Sequence, residues 1–92
     1  SFVTAMDRLD HTALVKTYSH DGQVSDSAPT ATAILAGVKT RNGVIGVGPE
    51  AILDDCASGL ANIVPSLLGL AQEAGFATGI VTTTKITHAT PA

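Results

Sequence analysis

The chain has 92 residues, a formal net charge of −3 and only five Lys and Arg. That is enough for one small domain, and with no Lys/Arg cluster it argues against a nucleic-acid partner. Hydrophobic residues make up 45%, charged residues 14% and aromatics 3%, a profile that fits a buried piece of a larger α/β protein better than a free-standing domain, whose surface needs more charge. No apolar run approaches the roughly 18 residues of a spanning helix, so no membrane span is expected. The first residue is Ser1, not Met, which reads as a processed, cleaved or partial chain. No secretory signal is visible, and a cut N-terminus would remove one. The single cysteine, Cys56, cannot form an internal disulfide. It is either an inert thiol in a loop or the partner of a cysteine elsewhere in a longer parent.

In chain order, residues 11–18 (HTALVKTY) alternate short, apolar and β-branched side chains and predict a strand. His20-Asp21-Gly22 is a turn signal. Ser25-Asp26-Ser27 offers several capping side chains before the small-residue run 28–36. Pro29 fits the first helical turn and Gly37 the stop, so a helix starts near Ser27. Arg41-Asn42-Gly43 is a turn, and residues 44–47 predict a short strand. Residues 48–61 read as an irregular surface loop. Pro65 opens a second helix to about Ala74, with Leu67, Leu68, Leu70 and Ala71 on its apolar side and Gly75 ending it. Residues 77–83 (ATGIVTT) predict a buried parallel strand, and 86–92 the loop after it. The order strand, helix, strand, helix, strand implies an α/β sheet with crossover helices. The loops with Ser27 and with His88 and Thr90 would then stand at strand carboxyl ends, where open α/β sheets place ligands.

A serine at a helix N-terminus lies among free N–H groups and the positive end of the helix dipole, where an anionic phosphate can be held. Its hydroxyl is a poor nucleophile until its proton is withdrawn, and with no histidine beside Ser27 a metal ion is the natural activator. Taken alone, Asp26-Ser27-Ala28 is most simply a helix cap. His88 and Thr90 alone are most simply loop residues, with Thr90 held extended by Pro91. His11, His20 and Asp54-Asp55 read as solvated, Thr32 and Lys39 as structural.

The wider string changes that weighing. Val24-Ser25-Asp26-Ser27-Ala28-Pro29-Thr30-Ala31-Thr32-Ala33 resembles the nucleophile signature of alkaline phosphatases. The resemblance continues through Ala36-Gly37-Val38-Lys39-Thr40 and Gly43-Val44-Ile45-Gly46-Val47. It resumes at Leu70-Ala71-Gln72-Glu73-Ala74-Gly75, Thr78-Gly79-Ile80-Val81-Thr82-Thr83-Thr84 and Ile86-Thr87-His88-Ala89-Thr90-Pro91-Ala92. It implies a strand-helix-strand segment of a mostly parallel sheet flanked by helices. It also implies hydrolysis of phosphate monoesters with little regard for the leaving alcohol, through a phosphoserine at Ser27. Two zinc ions and a magnesium ion belong to that reaction: zinc stabilises the serine alkoxide and then supplies hydroxide. By the same resemblance, Ser27 would also contact a zinc ion, Asp26 would help orient the phosphate-holding arginine, Thr90 would be a magnesium ligand, and His88 would lie beside that metal and tune it. Pro29 departs from the signature, which usually has Gly, Ala or Ser there, and it removes one backbone donor.

The metal-bridging upstream aspartate is not recognisable in residues 1–10. The downstream His and Asp ligands and the arginine would lie beyond Ala92. Residues 1–92 therefore read as a partial catalytic domain, the N-terminal portion of a larger enzyme, inactive in isolation. The remainder of the parent enzyme is its expected partner, with a homodimer and a periplasmic or extracellular location implied by the resemblance. Two rivals stay open. One is an inactive anion-binding or structural fragment. The other is an acyl-transfer serine hydrolase, for which Gly-x-Ser-x-Gly is missing.

Overall fold

Helices form in this chain where their ends are locally capped. A computed structural model describes residues 2–92. After a 3₁₀ turn at Met6–Arg8 come α1 (Ser27–Ala36), α2 (Cys56–Ala61) and α3 (Leu67–Glu73). Asp26 caps α1, its side chain accepting from the Ala28 N–H, and Gly37 closes it at φ 70° in the left-handed region. Ser66, one residue after Pro65, caps α3 through the Gly69 N–H. The far end of α3 is a Schellman motif: the Gly75 N–H donates to Gln72 O at 2.9 Å and the Phe76 N–H to Ala71 O at 2.9 Å. Gly75 takes φ 84° there. α2 lies inside the stretch expected to be irregular. Its cap is Asp55, whose Oδ1 accepts from the Ala57 and Ser58 N–H groups.

The α/β expectation is overturned. No strand forms among the described residues; a single antiparallel bridge joins Val47 to Ile63. Two backbone bonds flank it, from Gly48 N–H to Asn62 O at 2.8 Å and from Val64 N–H to Gly46 O at 3.0 Å. Residues 11–18 are exposed and held chiefly by Lys39, whose Nζ donates to Lys16 O at 3.1 Å and Tyr18 O at 2.6 Å and sits 4.0 Å from the Tyr18 ring centroid. The segment 77–83, expected to be a buried parallel strand, is exposed along its length and finds no ladder partner among the described residues. A β-branched run marks a segment suited to a pleated, half-covered surface, but pairing requires a second segment alongside it. None lies alongside among the described residues, so the strand-helix-strand reading fails, and the site loops do not sit at strand ends.

The interior is small and made of small residues. Ala28, Ala31, Ala51, Pro29, Ser19, Thr32 and Thr40 are buried. The buried hydroxyls are all bonded. Thr32 Oγ1 donates to Ala28 O at 3.0 Å and accepts from the Gly46 N–H at 3.0 Å, which ties α1 to the Val47 bridge. Thr40 Oγ1 donates to Gly48 O at 3.3 Å. Such bonds are each worth about 1 kcal/mol net, and more where loss of one partner strands the other. The large apolar side chains stay outside: Leu14 and Val81 are fully exposed, and Ile34 is 73% exposed. The accessible surface is 7254 Å², against about 5,000 Å² for a compact monomer of this mass. The radius of gyration is 15.4 Å, against about 12 Å for a compact domain of this length. α1 and α3 are the helices that touch each other.

Candidate functional site

The first turn of α1 is tied down from outside the helix. Asp26 spends both carboxylate oxygens on backbone: Oδ1 accepts from the Ala28 N–H at 2.9 Å and Oδ2 from the Gly43 N–H at 2.8 Å. The Asp26 N–H donates to Asn42 Oδ1 at 3.2 Å, and Asn42 Nδ2 donates to Val24 O at 3.1 Å. Thr30 Oγ1 closes the turn by donating to Asp26 O at 2.7 Å, with Ser25 Oγ 2.8 Å away. Ser27 is the first residue of the helix. Its side chain is exposed and has no hydrogen-bond partner among the described residues.

The helix end offers an anion less than the sequence suggested. The Ala28 N–H is taken by Asp26, Pro29 has none, and the Thr30 N–H donates to Asp26 O at 3.3 Å. Among the described residues, only Ser27's own N–H in that first turn is left without a partner. Pro29 is fully buried. As the third helical residue it costs no intrahelical bond, because the first four N–H groups have no partner within the helix.

Ser25, Asp26, Ser27, Thr30, Ala31, Ile34, Leu35 and Thr90 line one groove of about 420 Å³. The fold thus brings Ser27, Asp26 and Thr90 together across a long stretch of chain. His88 is exposed and does not line this groove; its N–H donates to Lys85 O and its carbonyl accepts from Ala92. The groove is polar at the Ser27 end and apolar at Ile34 and Leu35. Its neighbour, about 340 Å³, shares Leu35 and Thr90 and is lined mainly by apolar groups, including Leu68, Ile80 and Val81.

The donor set decides which metals the groove could hold. Zinc takes His, Cys and carboxylate ligands. Here the groove offers hydroxyls and one carboxylate already accepting two N–H bonds, and no three His, Cys, Asp or Glu side chains gather as a metal-holding group among the described residues. Zinc does not fit these residues alone. A magnesium ion would find oxygen of the right class but no free carboxylate.

Asp21 supports the site from behind. Its Oδ1 accepts the Asn42 N–H at 2.9 Å and the Ser19 hydroxyl at 3.3 Å. The Asn42 N–H is the main reason its carboxyl is held below the ordinary aspartate value; desolvation pulls the other way, and the Ser19 hydroxyl and the Arg41 charge add to the lowering. A depressed folded value means that the unfolded chain takes up the proton first. The stabilisation is therefore present above the ordinary aspartate value and is lost as pH falls through the lowered one. Titrating the Asn42 amide by NMR should show a midpoint below that of an unperturbed aspartate. A midpoint at or above it would remove Asp21 from this support.

These features define a chain with a solvent-open serine at a tied-down helix start, beside a groove it shares with Asp26 and Thr90. Sequence comparison narrows the class. The alkaline phosphatase family profile matches residues 1–92. The tissue-nonspecific alkaline phosphatase of Gallus gallus is 49% identical over 86 residues, 94% of this chain and 17% of its own length. An alkaline phosphatase of Gadus morhua is 48% identical over 94% of this chain and 18% of its own length. The tissue-nonspecific isozyme of Homo sapiens is 48% identical over 94% of this chain and 16% of its own length. The chain belongs to the alkaline phosphatase family, and it spans about a sixth of the length of these relatives.

Asn42 is the residue of this site that the sequence reading missed, since Arg41-Asn42-Gly43 signalled only a turn. The available signal was an amide side chain, able both to donate and to accept, at the centre of that turn.

Proposed function

We propose that residues 1–92 are the nucleophile-bearing part of a catalytic domain that hydrolyses phosphate monoesters through a phosphoserine at Ser27. The observation that supports this reading is the groove lined by both Ser27 and Thr90, with the Asp26 N–H and carboxylate both bonded to the 42–43 turn beside the serine. In the first step Ser27 Oγ attacks phosphorus. The Oγ–P bond forms, the ester O–P bond breaks, and the alcohol leaves with the proton that Ser27 gives up. In the second step water attacks the phosphoserine, inorganic phosphate departs, and Ser27 regains a proton. The unpartnered Ser27 N–H and the dipole of α1 favour the phosphate oxygens at that position.

In this reading Asp26 would help orient the phosphate-holding arginine, Ser27 would also meet a zinc ion, Thr90 would offer an oxygen to magnesium, and His88, outside the groove, would tune that metal site. The two zinc ions and the magnesium of this chemistry need donors that these residues do not bring together, so the metal centre belongs to a longer enzyme and residues 1–92 alone are inactive. A secreted, extracellular or periplasmic homodimer accords with the family. No helix among the described residues is long and apolar enough to cross a membrane.

The test is turnover by the full natural chain carrying these residues. Aryl and alkyl phosphate monoesters should be hydrolysed at similar rates. Hydrolysis of a carboxyl ester, with a fluorophosphonate labelling Ser27, would instead establish acyl transfer.

A further inference from the structure

The Ser27 approach is set by a side chain far from it in sequence. Asn42 lies 16 residues from Asp26 and 18 from Val24, yet its amide bonds to both: Oδ1 accepts the Asp26 N–H at 3.2 Å and Nδ2 donates to Val24 O at 3.1 Å. Its own N–H is anchored on Asp21 Oδ1 at 2.9 Å, and the next residue's N–H, that of Gly43, holds Asp26 Oδ2 at 2.8 Å. The backbone entering the nucleophile is therefore gripped by one amide group that uses its donor and its acceptor together. Asp26 has an extended backbone, φ −83° and ψ −177°, and Ser27 begins the helix. The corner between them directs the serine side chain into the groove. Nothing else among the described residues bonds to the Asp26 N–H or to Val24 O.

We propose that Asn42 is a positioning residue for Ser27, acting through the backbone of residues 24–26 and touching no substrate itself. The proposal rests on Ser27 being the nucleophile. Nucleophilic attack depends steeply on placement, and a shift of about 1 Å can cost about 100-fold in rate. Loss of Asn42 should therefore slow the chemical step and leave substrate affinity nearly unchanged.

The experiment uses the full natural chain and an aryl phosphate, with kcat, KM and thermal midpoint measured for Asn42→Ala, Asn42→Asp and Ser27→Ala. Asn42→Ala loses both side-chain bonds and should lower kcat by about 10- to 100-fold, with KM changed less than about threefold. Asn42→Asp keeps an acceptor for the Asp26 N–H and loses the donor to Val24 O. It should recover part of the lost kcat. Unchanged kcat in both folded variants would overturn the proposal. So would a fall in kcat matching only the loss of folded protein, or equal losses in the alanine and aspartate variants. Full activity in Ser27→Ala would instead refute the phosphoserine reading itself, which separates the two failures.

Discussion

Ser27→Ala in the full natural chain is expected to lower hydrolysis of a phosphate monoester by about 10³-fold or more, as removal of an attacking group does when no other side chain can replace it. Stability should hardly move. The hydroxyl is exposed and bonded to nothing among the described residues, and such surface changes usually stay within about 0.5 kcal/mol. Alanine is also a strong helix former at the first position of α1. Kinetics and a thermal melt on the same preparation separate the two effects. A variant that melts normally and turns over normally would remove Ser27 from the chemistry. One that loses activity only in step with its folded fraction would leave Ser27 a helix-start residue and no more.

Asp26→Ala should damage both stability and rate. It removes the helix cap on the Ala28 N–H and the acceptor for the Gly43 N–H. Loss of an N-cap costs about 1 kcal/mol, and a carboxylate bond to backbone adds a comparable amount, so about 2 kcal/mol is expected in the melt. The rate should fall at least about tenfold, because the corner before Ser27 loses its tie to the 41–43 turn. Asp26→Asn separates the roles. Its oxygen can still cap Ala28, but its NH₂ then faces the Gly43 N–H, donor against donor. It should melt between wild type and Asp26→Ala. An asparagine variant as stable and as fast as wild type would show that the Gly43 bond contributes nothing.

The helices were legible because their signals are local. Asp26, Pro29 and Gly37 lie within or beside α1, and Gly75 lies two residues past α3. α2 is masked in the sequence because Asp54-Asp55-Cys56 carries the charge of a solvated loop, although Asp55 is a capping residue followed by small side chains. The strands failed for a different reason. Alternation and β-branching in 11–18 and 77–83 suggest strands, but pairing is a long-range property and no partner lies alongside either segment among the described residues. The apolar faces that those patterns advertised remain exposed, and Val81 is the plainest case.

The site was legible to the extent that it lies in contiguous strings. Ser27 and Asp26 share the α1 entrance, and Thr90 reaches the same groove by a fold that no periodicity specifies. His88, two residues before Thr90, stays outside the groove. The free N–H groups anticipated around Ser27 were reduced to one because Asp26 caps inward and Pro29 has none to give. Asn42 escaped notice since its bonds span 16 and 18 residues.

The most direct measurement is site-mapped mass spectrometry of the full natural chain after incubation with inorganic phosphate, zinc and magnesium at mildly acidic pH. The account predicts phosphate on the peptide containing residues 24–33, assigned to Ser27 and absent from Ser27→Ala. A preparation that hydrolyses phosphate monoesters yet carries the phosphate on another residue, or on none, would contradict it.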